Sequence, residues 1–144
     1  MYKRQGQGCN ITVLESLTSI VKSGNIPLAE VIDMHIASEY HGNPLGISPL
    51  GEGYRKVIDN VDATGINFIK THNTFSDDNQ VEKQILEEKF GDIKLISYKL
   101  RIGHTMGAST AIETALAINE ESGRFLSLGA GMGNVFSSAI VNIL

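Results

Sequence analysis

Two histidines and one lysine follow apolar stretches of the sequence that are typical of β-strands. His72 comes just after residues 66–69, and Lys99 and His104 come after residues 93–98. Taken singly, each would be read as a solvated or capping residue. In α/β sheets, however, the carboxyl ends of strands face one crevice, where helix starts and free backbone N–H groups also converge. We therefore expect the two imidazoles and the ammonium group to meet in one pocket.

A glycine-rich segment supplies a third candidate group. Residues 129–133 follow the apolar stretch 124–128 and predict a turn before the last strand, residues 135–143. Gly129, Ala130 and Gly131 carry little or no side chain, so their backbone N–H groups could donate to an oxygen that gains negative charge during a reaction. We expect this turn to border the same crevice.

The elements that must position these groups alternate along the chain. Hydrophobic periodicity predicts strands at 9–15, 28–37, 66–69, 93–98, 124–128 and 135–143, and helices at 16–22, 52–61, 78–90 and 105–118. The last helix has small or apolar residues on most sides, which predicts that it is buried. The alternation indicates an α/β fold with a mainly parallel sheet covered by helices on both faces and one antiparallel edge.

Composition excludes several classes of function. The 144 residues suffice for one domain, and a net charge of -4 gives no electrostatic footprint for nucleic acid or an anionic membrane surface. No apolar stretch reaches the ~20 residues that a spanning helix needs. The single cysteine, Cys9, cannot form an internal disulfide, which favours a cytoplasmic location.

Residues 1–5 form a short polar segment, and we interpret it as a disordered or artefactual tail before a domain at 6–144.

Four blocks of the sequence, in order, resemble the β-ketoacyl synthase family, whose fold is thiolase-like. They are the strand motif at residues 6–15, the histidine block at 71–74 followed by Glu82, the block from Lys99 through His104 to Ala108, and the glycine segment at 127–134. The resemblance runs from about residue 6 to residue 144 and matches the C-terminal half of that fold. It implies a five-stranded thiolase-like half-domain with a mainly parallel, mixed sheet.

The resemblance implies a decarboxylative Claisen condensation, in which malonyl carrier protein loses carbon dioxide and the resulting enolate attacks an acyl chain held on a cysteine. His72 and His104 would donate hydrogen bonds to the enolate oxygen, and Lys99 would be a support residue that sets the geometry of the histidines. The segment Gly129, Ala130 and Gly131 would supply a backbone N–H to a second oxyanion hole, separate from the histidine pair. It would also form the gate of the substrate pocket. Glu82 would be the structural acid of the histidine block. No cofactor and no metal are implied.

Partners and activity also follow from the resemblance. Acyl carrier protein and acyl or malonyl thioesters would be the partners, and the full-length protein would be a homodimer or heterodimer. The nucleophilic cysteine of the family lies in the half that this chain lacks, and Cys9 is expected to be a packed core thiol. We therefore expect the chain alone to be an inactive fragment that exposes the apolar face of its central helices. A non-catalytic chain-length-type subunit or a decayed synthase is the alternative.

The sequence departs from the family pattern around both candidate oxyanion sites. Asn73, Phe75 and Ser76 stand where the histidine block has glycine, glycine and threonine, and its acid falls one residue early, around Asp78 or Asn79. Ala130 stands where the family has a gating phenylalanine, and Met132 where it has glycine. These changes bear on substrate gating and on condensation itself.

Two other classes of site fit the sequence less well. The glycine segment also resembles the loop that binds S-adenosylmethionine, but that site needs a following helix and a further strand with an acidic residue, and only eleven residues follow Gly133. A metal site would have to combine His72, Asp77, Asp78 and His104, and no two histidines have the spacing of ligands on one helix.

Overall fold

The computed structural model describes residues 5–40, 42, 47–74 and 78–144, apart from the side chains of residues 78 and 79. The helices are α1 (Leu17–Ser23), α2 (Glu52–Ile58), α3 (Asp78–Phe90), α4 (Lys99–Ile102) and α5 (Ser109–Glu120), with a 3₁₀ turn at Met106–Ala108. The strands are β1 (Ala29–Ser38), β2 (Ile66–Lys70), β3 (Lys94–Ile96), β4 (Arg124–Gly131) and β5 (Val135–Ile143). The predicted bounds of α3 are confirmed.

The five strands form one mixed sheet in the order β1-β5-β4-β2-β3. The pairs β4–β2 and β2–β3 are parallel, whereas β1–β5 and β5–β4 are antiparallel. The expected antiparallel edge is therefore wider than one hairpin, because β1 adds to the outer side of β5. The parallel strands β2 and β3 are joined by α3, and α4 and α5 lead from β3 to β4, as crossover connections require.

Helices cover the two faces of the sheet and define two clusters of buried side chains. On one face α2 and α3 pack over β4 and β5 and bury Tyr54, Val57, Ile58, Ile85, Leu86, Leu126, Leu128, Phe136 and Ile140. On the other face α5 packs over β2 and β4, with Phe68, Tyr98, Ala117, Phe125 and Val141 buried. The expected α/β architecture with helices on both faces is confirmed.

The predicted strand at residues 9–15 is absent, and this prediction was wrong. Residues 9–15 form no ladder, and together with α1 they make an arm whose side chains are almost all exposed. Cys9 lies on this arm and is exposed, so it is not a core thiol. A strand needs a neighbour for its backbone hydrogen bonds, and this segment pairs with none of the five described strands.

The apolar side chains left in solvent lie mainly on this arm, on the segment that joins α1 to β1, and on β1. Ile11 and Ile26 are each 90% exposed, and Met34 and Ile36 on β1 are 61% and 68% exposed. The expectation that the central helices would expose an apolar face therefore accounts for only part of this surface, most of which lies outside those helices. An apolar surface of this kind marks an interface or an aggregation site.

The helix predicted at residues 105–118 begins as a 3₁₀ turn and continues as α5. Its buried residues form one stripe, Ser109, Glu113 and Ala117, while its other residues are partly or fully exposed. The prediction of burial on most sides was therefore wrong. Small side chains allow close packing, but only the β2–β4 side of the helix is covered. No helix in the described residues is long and apolar enough to cross a bilayer.

Candidate active site

His72 lies in the segment that leaves the end of β2, and its backbone is fixed by a buried carboxylate. Thr71 continues the pairing with β3, because its N–H donates to the Ile96 carbonyl at 2.9 Å. The next two N–H groups, of His72 and Asn73, donate to Glu82 at 2.6 and 2.9 Å. Glu82 comes from α3 and is 3% exposed. It caps the loop that carries His72.

Burial raises the pKa of the Glu82 carboxyl, because an ionised group is poorly solvated there. The two backbone N–H donors and the nearby ammonium groups of Lys70 and Lys99 act in the opposite direction. Desolvation outweighs these opposing contributions, so the pKa of the carboxyl is raised.

Lys99 is the first residue of α4 and is 3% exposed. Its ammonium group donates to the backbone carbonyl of His72 and lies 2.7 Å from Oε1 of Glu113 on α5. The peptide segment of His72 is therefore held from both ends, by Glu82 at the N–H and by Lys99 at the carbonyl.

His104 is positioned by a close approach between two backbone segments. Gly103 has a φ of 75°, and a Cβ there would meet the Gly6 nitrogen at 2.7 Å. Gln5 pairs with His104, and the Gly6 N–H donates to the His104 carbonyl at 3.1 Å. Gln5 is thus part of the fold, which corrects its assignment to the tail. Residues 1–4 lie outside the described residues.

The hydrogen bonds of the His104 ring define its neutral tautomer. Nδ1 accepts the Met106 N–H at 2.9 Å, so in the neutral ring the proton is on Nε2. Met106 adopts a φ of 53°, which is unusual for a residue other than glycine, and this conformation belongs to the turn that brings its N–H to the ring. Ser109 Oγ lies 3.2 Å from the same nitrogen.

The structure brings the two imidazoles together. The ring centroids of His72 and His104 are 5.8 Å apart, and the ring planes meet edge to face at 83°. His72 is 7% exposed, while His104 is partly buried. Two neutral rings at this separation can both donate to one small oxyanion, which is a known device for stabilising an enolate or a tetrahedral intermediate.

The glycine segment differs from its prediction. Gly129, Ala130 and Gly131 belong to β4 and pair with Ser137, Phe136 and Val135 of β5. The predicted turn is therefore shorter and begins at residue 132. Gly133 and Asn134, with φ values of 82° and 58°, reverse the chain, and residues 129–131 remain in the strand.

The ladder still leaves the N–H group of Ala130 facing away from β5. The Arg124 N–H and the Leu128 carbonyl both point toward β2, because they bond to Asn67 and Lys70 respectively. Strand residues alternate in the side to which their backbone groups point. Ala130 therefore points its N–H to the same side as Leu128, beyond the end of β2, where the chain continues to His72.

Sequence reasoning missed two charged residues next to Lys99. Glu113 pairs with Lys99 at 2.7 Å, and Lys70 lies 3.6 Å from Glu113. Both side chains are fully buried. The signal was present, because Glu113 is the one acidic residue of the helix predicted to be buried, and Lys70 ends an apolar strand. A charge at such a position needs a partner of opposite charge.

The imidazole pair does not line the small cleft that the structure forms nearby. That cleft, about 190 Å³ in volume, lies behind the His72 loop and is lined by Thr71, Asn73, Gln80, Glu82, Lys83, Leu95 and Ser97. Among the described residues, no three histidine, cysteine, aspartate or glutamate side chains are placed to share a metal ion. Asp77 lies outside the described residues, and so do Phe75 and Ser76.

No protein-family model matches the sequence, and no curated protein matches it. Solved structures do match. The ishigamide ketosynthase/chain length factor superposes with a TM-score of 0.82 at 20% identity, over 97% of this chain and 44% of that chain. A type II PKS acyl-carrier protein in complex with its ketosynthase gives 0.79 at 16% identity, over 90% and 42%. A β-ketoacyl synthase from Burkholderia phymatum STM815 gives 0.75 at 19%, over 90% and 41%.

These comparisons show the fold. The chain has the thiolase-like α/β fold of ketosynthases and chain length factors. It spans less than half the length of the solved structures that it matches.

Proposed function

We propose that this chain is the C-terminal half of a β-ketoacyl-[acyl-carrier-protein] synthase-like condensing enzyme and carries its decarboxylation site. The observation that supports the proposal is the edge-to-face pair of His72 and His104, whose ring centroids are 5.8 Å apart. The His72 backbone is held by Glu82 and Lys99, and the His104 ring accepts the Met106 N–H. We assign the reaction to fatty acid, polyketide or polyene synthesis.

In the proposed reaction the C–C bond between the malonyl carboxylate and its methylene carbon breaks, and carbon dioxide leaves. The electron pair moves into the thioester, so that negative charge develops on the thioester oxygen. His104 donates to that oxygen from Nε2, since its Nδ1 is engaged by Met106, and His72 donates from its own ring. The enolate then attacks an acyl thioester on cysteine, and the cysteine sulfur leaves as a thiolate.

Lys99, Glu113 and Glu82 act as positioning residues in this proposal. Lys99 donates to the His72 carbonyl, and Glu82 accepts the His72 N–H. These contacts are made before any substrate binds, so the donors need little reorganisation when charge develops. The N–H of Ala130 would serve the second oxyanion, which forms on the acyl thioester when the enolate attacks.

The acyl-carrying cysteine is not provided by this chain. Cys9 is its one cysteine, and it is exposed on the arm before α1. We propose that another polypeptide segment supplies the nucleophile and the remaining walls of the pocket, since His72 and His104 do not line the described cleft. The partners would be acyl carrier protein, acyl and malonyl thioesters, and a second subunit in a homodimer or heterodimer. A cytoplasmic location, with neither nucleic acid nor a membrane as partner, completes the proposal.

A non-catalytic chain-length-type subunit is the second candidate. It is compatible with the likeness to the ishigamide ketosynthase/chain length factor, a structure named for both kinds of protein. In that role the two histidines would hold the loop and the turn in place without meeting a substrate.

The test is malonyl decarboxylation by the complete protein and by its H72A and H104A variants. Removal of one oxyanion donor is expected to lower the rate by about 100- to 1,000-fold. Carbon dioxide release from malonyl carrier protein measures the rate directly. Unchanged rates in both variants would remove the roles proposed for the histidines, and an inactive complete protein that raises the activity of a partner ketosynthase would support the second candidate.

A further inference from the structure

The fold buries a second lysine beside the candidate site. Lys70 is the last residue of β2, and its side chain has no exposed surface. Its ammonium group donates to the carbonyl of Leu128 on β4 and lies 3.6 Å from Oε2 of Glu113 on α5. The charged groups that face it are Glu113 from α5, Lys99 from α4 and Glu82 from α3.

Glu113 is thereby shared between two ammonium groups. Oε1 lies 2.7 Å from Lys99 Nζ, and Oε2 lies 3.6 Å from Lys70 Nζ. With Glu82 on the other side of the His72 loop, the cluster holds two buried positive and two buried negative groups. A single buried charge is costly unless it is paired, so the position of each group depends on the others.

Lys70 also replaces a missing backbone partner. The parallel ladder between β2 and β4 ends where Lys70 pairs with Ser127. Beyond that pair the Leu128 carbonyl has no strand beside it, and the Lys70 ammonium group takes the bond that a further strand residue would have made. The end of β4, which carries the Ala130 N–H, is therefore anchored to β2 through this side chain.

We propose that Lys70 is a positioning residue that couples the two oxyanion-binding parts of the site, the imidazole pair and the end of β4. It acts on the first through Glu113 and Lys99, which holds the His72 carbonyl, and on the second through Leu128. This inference rests on the proposed function and adds a residue that the sequence resemblance does not assign.

The charge state of Lys70 gives the proposal a distinct signature. The pKa of its ammonium group is lowered from 10.5 to about 8, because burial, together with the like charge of Lys99, outweighs the raising effect of Glu113 and Glu82. Above about pH 8 the ammonium group loses its proton, and Glu113 loses one of its two charged partners. The imidazole pair and the end of β4 should then both become less firmly held.

The first test compares K70M and K70Q in the complete protein. K70M removes both the charge and the donor, whereas K70Q retains an N–H donor for Leu128. We expect kcat for malonyl decarboxylation to fall by up to about 100-fold in K70M, with a smaller change in KM, because misplacement of a reacting group acts mainly on the chemical step. K70Q should lie between K70M and the wild type. K94M is the matched control, since Lys94 on the neighbouring strand pairs with Glu121 at the surface.

The second test does not depend on activity. NMR spectra of ¹³C-labelled histidine rings should show, for both His72 and His104, a displacement with a midpoint near pH 8 that is absent in K70M. If the histidine variants lose activity while K70M keeps the wild-type kcat and the same displacement of the ring signals near pH 8, the proposal for Lys70 fails and the proposed function stands. If the histidine variants keep activity, the proposed function fails, and the displacement of the ring signals alone decides whether Lys70 is coupled to the histidine pair.

Discussion

The ammonium group of Lys99 lies 2.7 Å from the carboxylate of Glu113, and both side chains are almost completely removed from solvent. The same ammonium group donates to the carbonyl of His72. An ion pair on α4 and α5 therefore determines where a loop after β2 places its imidazole. A buried pair of this kind contributes little net stability but is expensive to break from one side.

Replacement of Glu113 by glutamine should destabilise the protein strongly. Two buried ammonium groups would lose their shared counter-charge, and breaking a buried pair in this way costs about 3–5 kcal/mol. The free energy of unfolding in urea measures the loss. The control is E121Q, which breaks the exposed pair with Lys94 and should cost less than about 1 kcal/mol. Equal effects of the two substitutions would contradict the assigned role of the buried pair.

Substitution of Gly103 by alanine should displace His104. Gly103 has a φ of 75°, and its Cβ would lie 2.7 Å from the Gly6 nitrogen, so the backbone must move. Gly91 provides the matched control, because it has a φ of 67° but open space around it. G91A should cost only the left-handed conformation, about 1–2 kcal/mol.

The measurement for this pair is unfolding free energy together with malonyl decarboxylation by the complete protein. G103A should lose more stability than G91A and should also lose activity, whereas G91A should retain activity. Retained activity in G103A would show that the close approach of residues 5 and 6 to Gly103 does not control His104.

Glu82 should give a pH dependence of stability with a defined sign. Burial raises the pKa of its carboxyl above the ordinary value of 4.5. The folded protein then binds this proton more tightly than the unfolded chain, so the contribution of Glu82 is fully present below pH 4.5 and is lost as the pH rises through the folded-state value. Unfolding free energies measured from pH 4 upward should therefore fall more steeply in the wild type than in E82Q. Parallel curves for the two proteins would contradict this assignment.

The 144-residue chain by itself should form no ketoacyl product. Its one cysteine is exposed on the arm before α1, and the acyl group would have no nucleophile beside the imidazole pair. A condensation assay with acyl and malonyl carrier protein tests this, with the complete protein as positive control. Product formation by the chain alone that persists in a C9S variant would contradict the proposal that another polypeptide segment supplies the nucleophilic cysteine.

Local pattern was sufficient where one segment determines its own structure. The amphipathic periodicity of α3 predicted its bounds, since its apolar stripe and the glycine at position 91 are encoded within one stretch of sequence. It failed at residues 9–15, whose β-branched residues favour a strand but find no neighbouring strand in the described fold. It also placed the glycine turn too early, because Gly129 and Ala130 are held in β4 by pairing with β5.

The sequence by itself determined the alternation of strands and helices and which residue types could stabilise negative charge, namely His72, Lys99 and His104. Those properties depend on local spacing and on side-chain chemistry. Only the tertiary structure decided that the two imidazole rings lie 5.8 Å apart and that Lys70 and Glu113 form a buried pair next to the site. Contacts between residues far apart in the sequence arise from the packing of β2, β4 and α5 against one another, and no local pattern encodes such contacts.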